Sequence, residues 1–217
     1  MNPEWSRLNG ALQTQLKQEA TFPQGIDTLL TLRRELMAAL LDLKGTLRRE
    51  DFDAMPFPNA NGYHGKTIVY SIWHIFRIED IVAHDLICRD KEVFRDFRDE
   101  IGAPIITTGN ELVGGEIVAF SRMIDLDALY AYAAAVKAAT DVLLRQLTYR
   151  DLRRKFDDED KARLRFLQVV STDERACWLI DYQCGKTVRG LIQMPFSRHW
   201  IMHVEASLRI RNKLQRA

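Results

Sequence analysis

The sequence predicts an all-α protein, an antiparallel four-helix bundle with additional short helices and long connections. Two observations carry that expectation. Four long stretches place apolar residues at three- and four-residue spacing, and no segment alternates apolar with polar residues or holds a hairpin dipeptide. With 217 residues, 47% of them apolar and 28% charged, the chain has the material for one domain with its own core. The expected bundle core covers about 26–214, with 1–25 as an N-terminal extension of the same domain.

Ile26 to Leu47 is the first predicted long helix, because Leu29, Leu30, Leu32, Met37, Leu40, Leu41 and Leu43 recur with helical period. Asp51 to Gly65 holds Pro56, Pro58 and Gly62 and reads as a loop. The second helix is expected from Thr67 to about Arg89. It is apolar on nearly every side over Ile68–Trp73, the pattern of a buried helix. Gly102 to Gly115 is a long connection stiffened by Pro104 and Gly114-Gly115.

Asp125 is placed to cap a third helix, Leu126 to Leu147. Its alanines (Ala131, Ala133, Ala134, Ala135, Ala138 and Ala139), on one side, would let a neighbouring helix approach closely. Arg150 to Arg165 reads as a charged short helix or an exposed excursion, and Asp173 as the cap of a short helix through Tyr182. The last helix is expected from about Pro195, a residue favoured at the first helical position, to Lys213. Gly-Lys-Thr occurs twice, at Gly65-Lys66-Thr67 and Gly185-Lys186-Thr187, each ahead of an apolar helix. Neither has the earlier glycine of a phosphate-binding loop.

A net charge of +1, with basic and acidic residues interleaved, argues against a nucleic-acid binder. The basic end, Arg209 to Arg216, is accounted for by the dipole of the last helix. The start, Met1-Asn2-Pro3-Glu4-Trp5, lacks a signal-peptide pattern, and no apolar run approaches the roughly 18 residues that span a bilayer. Cys88, Cys177 and Cys184 are odd in number and form no Cys-x-x-Cys pair. The expectation is a cytoplasmic protein without structural disulfides and without membrane contact.

Five histidines are present: His64, His74, His84, His199 and His203. His199 and His203 stand one helical turn apart, a spacing that stacks side chains with Cβ atoms about 5–6 Å apart. They share a stripe with Phe196, Ala206, Ile210 and Leu214, whereas Arg198, Glu205, Arg209 and Asn212 fall on another. The pair therefore points toward the core. Buried imidazoles need partners for their ring nitrogens, and one metal ion serves both. The alternative is a pair of core histidines bonded to backbone or water.

His74, on the buried second helix, is the candidate third ligand, since bundles build metal sites between facing helices. A lone histidine on an apolar face is more often a satisfied core residue, so its assignment depends on the pair. His84 lies about 15 Å further along the helix axis and cannot share a site with His74. His64 falls in the Pro/Gly loop.

Ser71-Ile72-Trp73-His74-Ile75-Phe76-Arg77-Ile78-Glu79-Asp80, followed far downstream by Arg198-His199-Trp200-Ile201-Met202-His203, resembles the DinB-like superfamily, which includes the YfiT-like proteins regarded as metalloenzymes. The resemblance runs from about Ile26 to the C-terminus and implies a four-helix bundle with His74, His199 and His203 as metal ligands. There are two departures. Many relatives carry a second histidine where this chain has Ile78-Glu79-Asp80, and the stretches 102–122 and 150–165 look like additions.

Three neutral imidazoles would leave one or more positions open on a divalent ion, which suits catalysis better than structural bracing. Zinc, nickel and iron(II) all accept imidazole, with zinc or nickel favoured. Two chemistries follow: transfer of a low-molecular-weight thiol to an electrophile, or hydrolysis by an activated water. The resemblance ranks thiol transfer of the bacillithiol or mycothiol type first. Tyr70 and Arg77 are pocket candidates for a polar small-molecule substrate; alternatively Tyr70 packs and Arg77 pairs with a carboxylate. Asp80 and Asp85 are candidates to orient a ligand ring. A non-enzymatic helical bundle acting as an interaction or stress protein stays open, as does a homodimer.

Overall fold

Helix starts follow from capping residues in the sequence. Asn2 accepts hydrogen bonds from the backbone N–H groups of Glu4 and Trp5, with Pro3 following, and α1 runs Pro3–Gln15. This helix falls inside the expected N-terminal extension and packs on α2 (Phe22–Thr46). α2 buries Ile26, Leu29, Leu30, Leu36, Leu40 and Leu43 at helical spacing. The computed structural model describes residues 2–216; residues 1 and 217, the ends of the expected domain, lie outside that range. Among the described residues there is no strand, and no helix is long and apolar enough to cross a membrane.

A four-residue helix α3 (Arg49–Phe52) and a 3₁₀ turn (Gly62–Gly65) punctuate the expected loop. Thr67 accepts from the N–H of Tyr70 and starts α4 (Ile68–Asp80), which is buried at every position. α4 continues as a π-helix over Ile81–Cys88, ended by Arg89 in the left-handed region. The connection after it contains α5 (Phe94–Ile101) and α6 (Gly115–Met123), both absent from the expected map.

Asp125 caps α7 (Leu126–Gln146) through Ala128 N–H, at the expected residue. The alanine expectation for α7 holds at Ala133 and is corrected elsewhere. Ala131, Ala134 and Ala138 are exposed, Ala135 and Ala139 half-buried, and the packed face is Leu129, Tyr132, Ala133, Val136 and Leu144. Alanine favours the helix by propensity, while the larger apolar residues choose which side is covered.

α8 (Asp158–Phe166) occupies the charged stretch. α9 (Trp178–Cys184) starts after Cys177, so Asp173 is not its cap; that carboxylate instead accepts from Arg175 N–H within a turn. Thr187 accepts from Gly190 N–H and starts α10 (Val188–Gln193), earlier than the expected Pro195. A π-helical stretch, Met194–Arg198, then leads into α11 (His199–Leu214). It is closed by the bond from His199 N–H to the Met194 carbonyl, and the Ser197 hydroxyl donates to the Ile192 carbonyl at 2.9 Å. α4 packs against α7 and α11, and α2 against α7 and α11. These contacts put His74 opposite His199 and His203.

Candidate metal centre

All three histidines are buried, with 6%, 8% and 3% of the surface of His74, His199 and His203 exposed. Their ring centroids are 5.0 Å apart for His74–His199, 5.0 Å for His74–His203 and 4.7 Å for His199–His203. One ring nitrogen from each lies within 4.8 Å of those of the other two, close enough to hold a metal ion. Among the described residues no other group of three histidine, cysteine or acidic side chains gathers this way.

Burial sets the protonation state. It pushes His74 down to about 4, with the Lys66 ammonium adding to the effect. His199 and His203 are held well below the ordinary histidine range by burial first and by their histidine neighbours second. Three neutral imidazoles offer lone pairs, which is the form a metal requires. The Nδ1 atoms of His199 and His203 are buried and meet no partner in the protein. Such atoms cost about 1–3 kcal/mol each. Three neutral imidazoles, each with a ring nitrogen in one common group, fit a divalent ion accepting imidazole nitrogen.

The orientation of His74 comes from a segment that looked like an addition in the sequence. Four consecutive carbonyls, Ile106 to Thr107 to Thr108 to Gly109, dock onto one face of α4. The Arg77 guanidinium donates to the Ile106 carbonyl at 2.7 Å and Trp73 Nε1 to that of Thr107 at 3.2 Å. His74 Nδ1 pairs with the Thr108 carbonyl at 2.8 Å and the Tyr70 hydroxyl with that of Gly109 at 3.0 Å. A carbonyl only accepts, so His74 carries its proton on Nδ1 and leaves Nε2 with the free lone pair. Gly109 makes this possible, with φ +79° and a position where an added Cβ would stand 3.1 Å from the Tyr70 ring.

A cavity of about 400 Å³ opens in front of the three histidines, within the range of small-molecule sites. Tyr70 lines it and stacks on His74, with centroids 5.4 Å apart. Burial raises the Tyr70 hydroxyl far above its usual range, with the Glu111 charge adding, so it stays protonated.

Arg77 does not line the cavity. It is fully buried in a network with Asp80 at 3.4 Å and Glu92 at 3.2 Å, because a desolvated guanidinium needs carboxylates more than it needs a substrate. Asp80 is not a ring-orienting group either. It accepts from the N–H groups of Val93 and Phe94 and from the Tyr132 hydroxyl, so the fold uses it fully. Asp85 also lies away from the ring nitrogens, facing Arg163 at 3.8 Å. His84 pairs with Asp90 at 2.7 Å, and His64 faces a different cavity. None of the cysteines lines the histidine cavity.

Sequence reasoning missed the carbonyl strap. Its signals were Ile105-Ile106, apolar inside a polar connection and half-buried against the core, and Gly109 just after the two threonines. It also missed Lys66, Gln183 and Trp178, which reach the cavity from the loop before α4 and from α9. Comparison with family models and with curated proteins finds no match to this sequence.

Proposed function

We propose that this chain is a DinB-like metalloenzyme in which His74, His199 and His203 hold one divalent ion, and that it transfers a low-molecular-weight thiol to a small electrophile. The observation that carries the metal assignment is the convergence of three buried, neutral imidazoles from two helices on the floor of one cavity. In this reading α2, α4 with its π extension, α7 and α11 are the four helices of the bundle.

When bound, an ion on three neutral ligands keeps its positive charge and an open position, where it lowers the pKa of a thiol or water. The chain's own groups prepare that position. The Thr108 carbonyl fixes the tautomer and direction of His74. Tyr70, stacked on that ring, donates to Gly109 and stays clear of proton transfer. The apolar surround keeps water away from the imidazoles.

The choice of a thiol over water follows from what the cavity lacks. No aspartate or glutamate lines it among the described residues, so no carboxylate stands ready as the general base or acid that hydrolysis of a stable bond uses. A thiol needs only to lose its proton to solvent. Its sulfur then forms the new bond to the electrophilic carbon, and the leaving group departs with the bonding pair.

The test is elemental analysis of untagged protein with matched assays. About one divalent ion per chain is expected, and His199→Ala should lose most of it. Unchanged metal content in that variant refutes the ligand set. Metal-dependent consumption of a small thiol with 1-chloro-2,4-dinitrobenzene supports transfer. Metal-dependent turnover confined to esters or amides overturns transfer in favour of hydrolysis.

A further inference from the structure

The cavity in front of the histidines has a charge pattern of its own. Lys66 is the one cationic side chain, histidines aside, among its lining residues. It forms no ion pair with any described residue. Its ammonium sits 4.6 Å from the Tyr70 ring centroid, and partial burial disfavours its charge. Glu111, the acid whose charge is felt at Tyr70, is engaged by the Thr107 hydroxyl and does not line the cavity. A half-buried ammonium without a counter-ion is stabilised by any anion that enters.

An independent observation comes from α9. Gln183 is 1% exposed and lines the cavity, yet its Oε1 has no donor. A buried amide oxygen in that state is satisfied by an N–H or O–H on a ligand. Gln183 belongs to α9, which also presents Trp178 and Tyr182 to the cavity, 48% and 38% exposed. The Lys186 ammonium covers one face of Tyr182, 3.9 Å from its centroid, and the exposed aromatic surface that is left beside the cavity is ready for a flat apolar group.

We propose that the cavity takes an amphipathic carboxylate, with its charged head beside Lys66, a flat apolar body against Trp178 and Tyr182, and a hydrogen-bond donor on that body for Gln183. The assignment rests on reading the cavity as the substrate site of the metal centre and names the class of substrate it admits. One ammonium with no arginine fork beside it suits a single carboxylate better than a phosphate dianion. The N–H of Tyr70, in the first turn of α4, is already taken by Thr67 and adds no anion-binding donor.

Ligand-observed NMR titrations of chelator-treated and metal-loaded protein test this with three probes: 3-(4-hydroxyphenyl)propionate, 3-phenylpropionate and 3-(4-hydroxyphenyl)propionamide. In the metal-free protein the hydroxylated acid is expected to bind at least tenfold more tightly than its amide. Lys66→Gln should abolish that preference without changing metal content, and Lys66→Arg should retain it. Gln183→Leu should remove the advantage of the hydroxylated acid over 3-phenylpropionate.

A second measurement needs no variant: added salt should weaken the acids and leave the amide unaffected. Equal binding of acid and amide by wild-type protein overturns the proposal, as does a preference that survives Lys66→Gln. A protein that binds no metal but keeps the charge preference counts against the metal centre and not against this subsite.

Discussion

Two buried polar clusters share α4 and α11, the first reaching across to α2 and α7 as well, and they are finished differently. In one, Arg33 donates to both oxygens of Glu79 at 2.8 and 2.7 Å and to Asp141 at 2.7 Å, while Trp200 Nε1 donates to Glu79 at 2.7 Å. Every strong donor and acceptor is answered within the protein. In the other, three imidazoles face one another and two of their nitrogens have no partner. The first cluster is complete as folded; the second is complete only with something added. Residue type does not separate them. Saturation does.

The largest expected effect comes from breaking the saturated cluster. Glu79→Ala leaves Arg33 charged and buried with Asp141 as its one carboxylate, and should cost about 3–5 kcal/mol. Urea denaturation would show it as a lower midpoint. His199→Ala removes a neutral group from an unsatisfied cluster. In metal-free protein it should cost markedly less than Glu79→Ala, while abolishing the rise in melting temperature expected of the wild type on adding metal. Equal losses from both variants would erase the distinction between the two clusters.

A smaller effect sharpens the comparison at the strap. Gly109→Ala strains a left-handed residue and crowds Tyr70, and should cost about 1 kcal/mol. Because the neighbouring carbonyl orients His74, metal affinity should also fall, by about 10–100-fold if the strap acts as an outer support of the ligand. Metal titration of the folded variant checks this. Unaltered affinity would make the strap a covering loop and nothing more.

The smallest effect concerns a group between the two extremes. Asp85 is buried with carboxyl oxygens that meet no donor. Burial and the neighbouring Glu92 carboxylate push it up to about 8. Burial opposes the Glu92 charge, but neighbouring Asp85 and the Arg77 guanidinium outweigh it and hold Glu92 below its usual value. The proton stays on Asp85 and the charge on Glu92.

The unfolded chain releases that proton near pH 4. Between there and about 8 the folded chain therefore holds a proton that the unfolded one lacks, and stability falls as pH rises across that window, by at most about 1.4 kcal/mol per pH unit. Asp85→Asn should flatten this slope in denaturation series from pH 5 to 9. An unchanged slope would place the proton elsewhere.

The features legible in the sequence were those written in local spacing. The i,i+4 pair His199 and His203, the burial of His74 on a helix apolar all round, and the Asp125 cap each depend on residues within a few positions. What stayed illegible depends on the path of distant chain. The Thr108 carbonyl that orients His74 has no side-chain signature, and the Arg33–Glu79 pair joins positions whose charges look ordinary in each helix alone. α1 is an intermediate case: Asn2-Pro3-Glu4 is a helix-start pattern that a closer reading of the extension shows. The alanines of α7 mark the opposite failure, since helix propensity resembles a packing surface without being one.

The π-helical stretch Met194–Arg198 ends immediately before His199 and so governs the rotational phase of everything after it. Such a stretch holds a residue beyond what an α-helical ladder needs, and each residue of an α-helix turns the chain by about 100°. Deleting Pro195, the one residue of the stretch with no N–H to give, would let the ladder close as ordinary α-helix. His199 and His203 would keep their mutual spacing but swing together away from His74. Two chains can therefore share the same His-x-x-x-His string and differ entirely in whether it meets a third ligand, according to a single insertion one turn upstream.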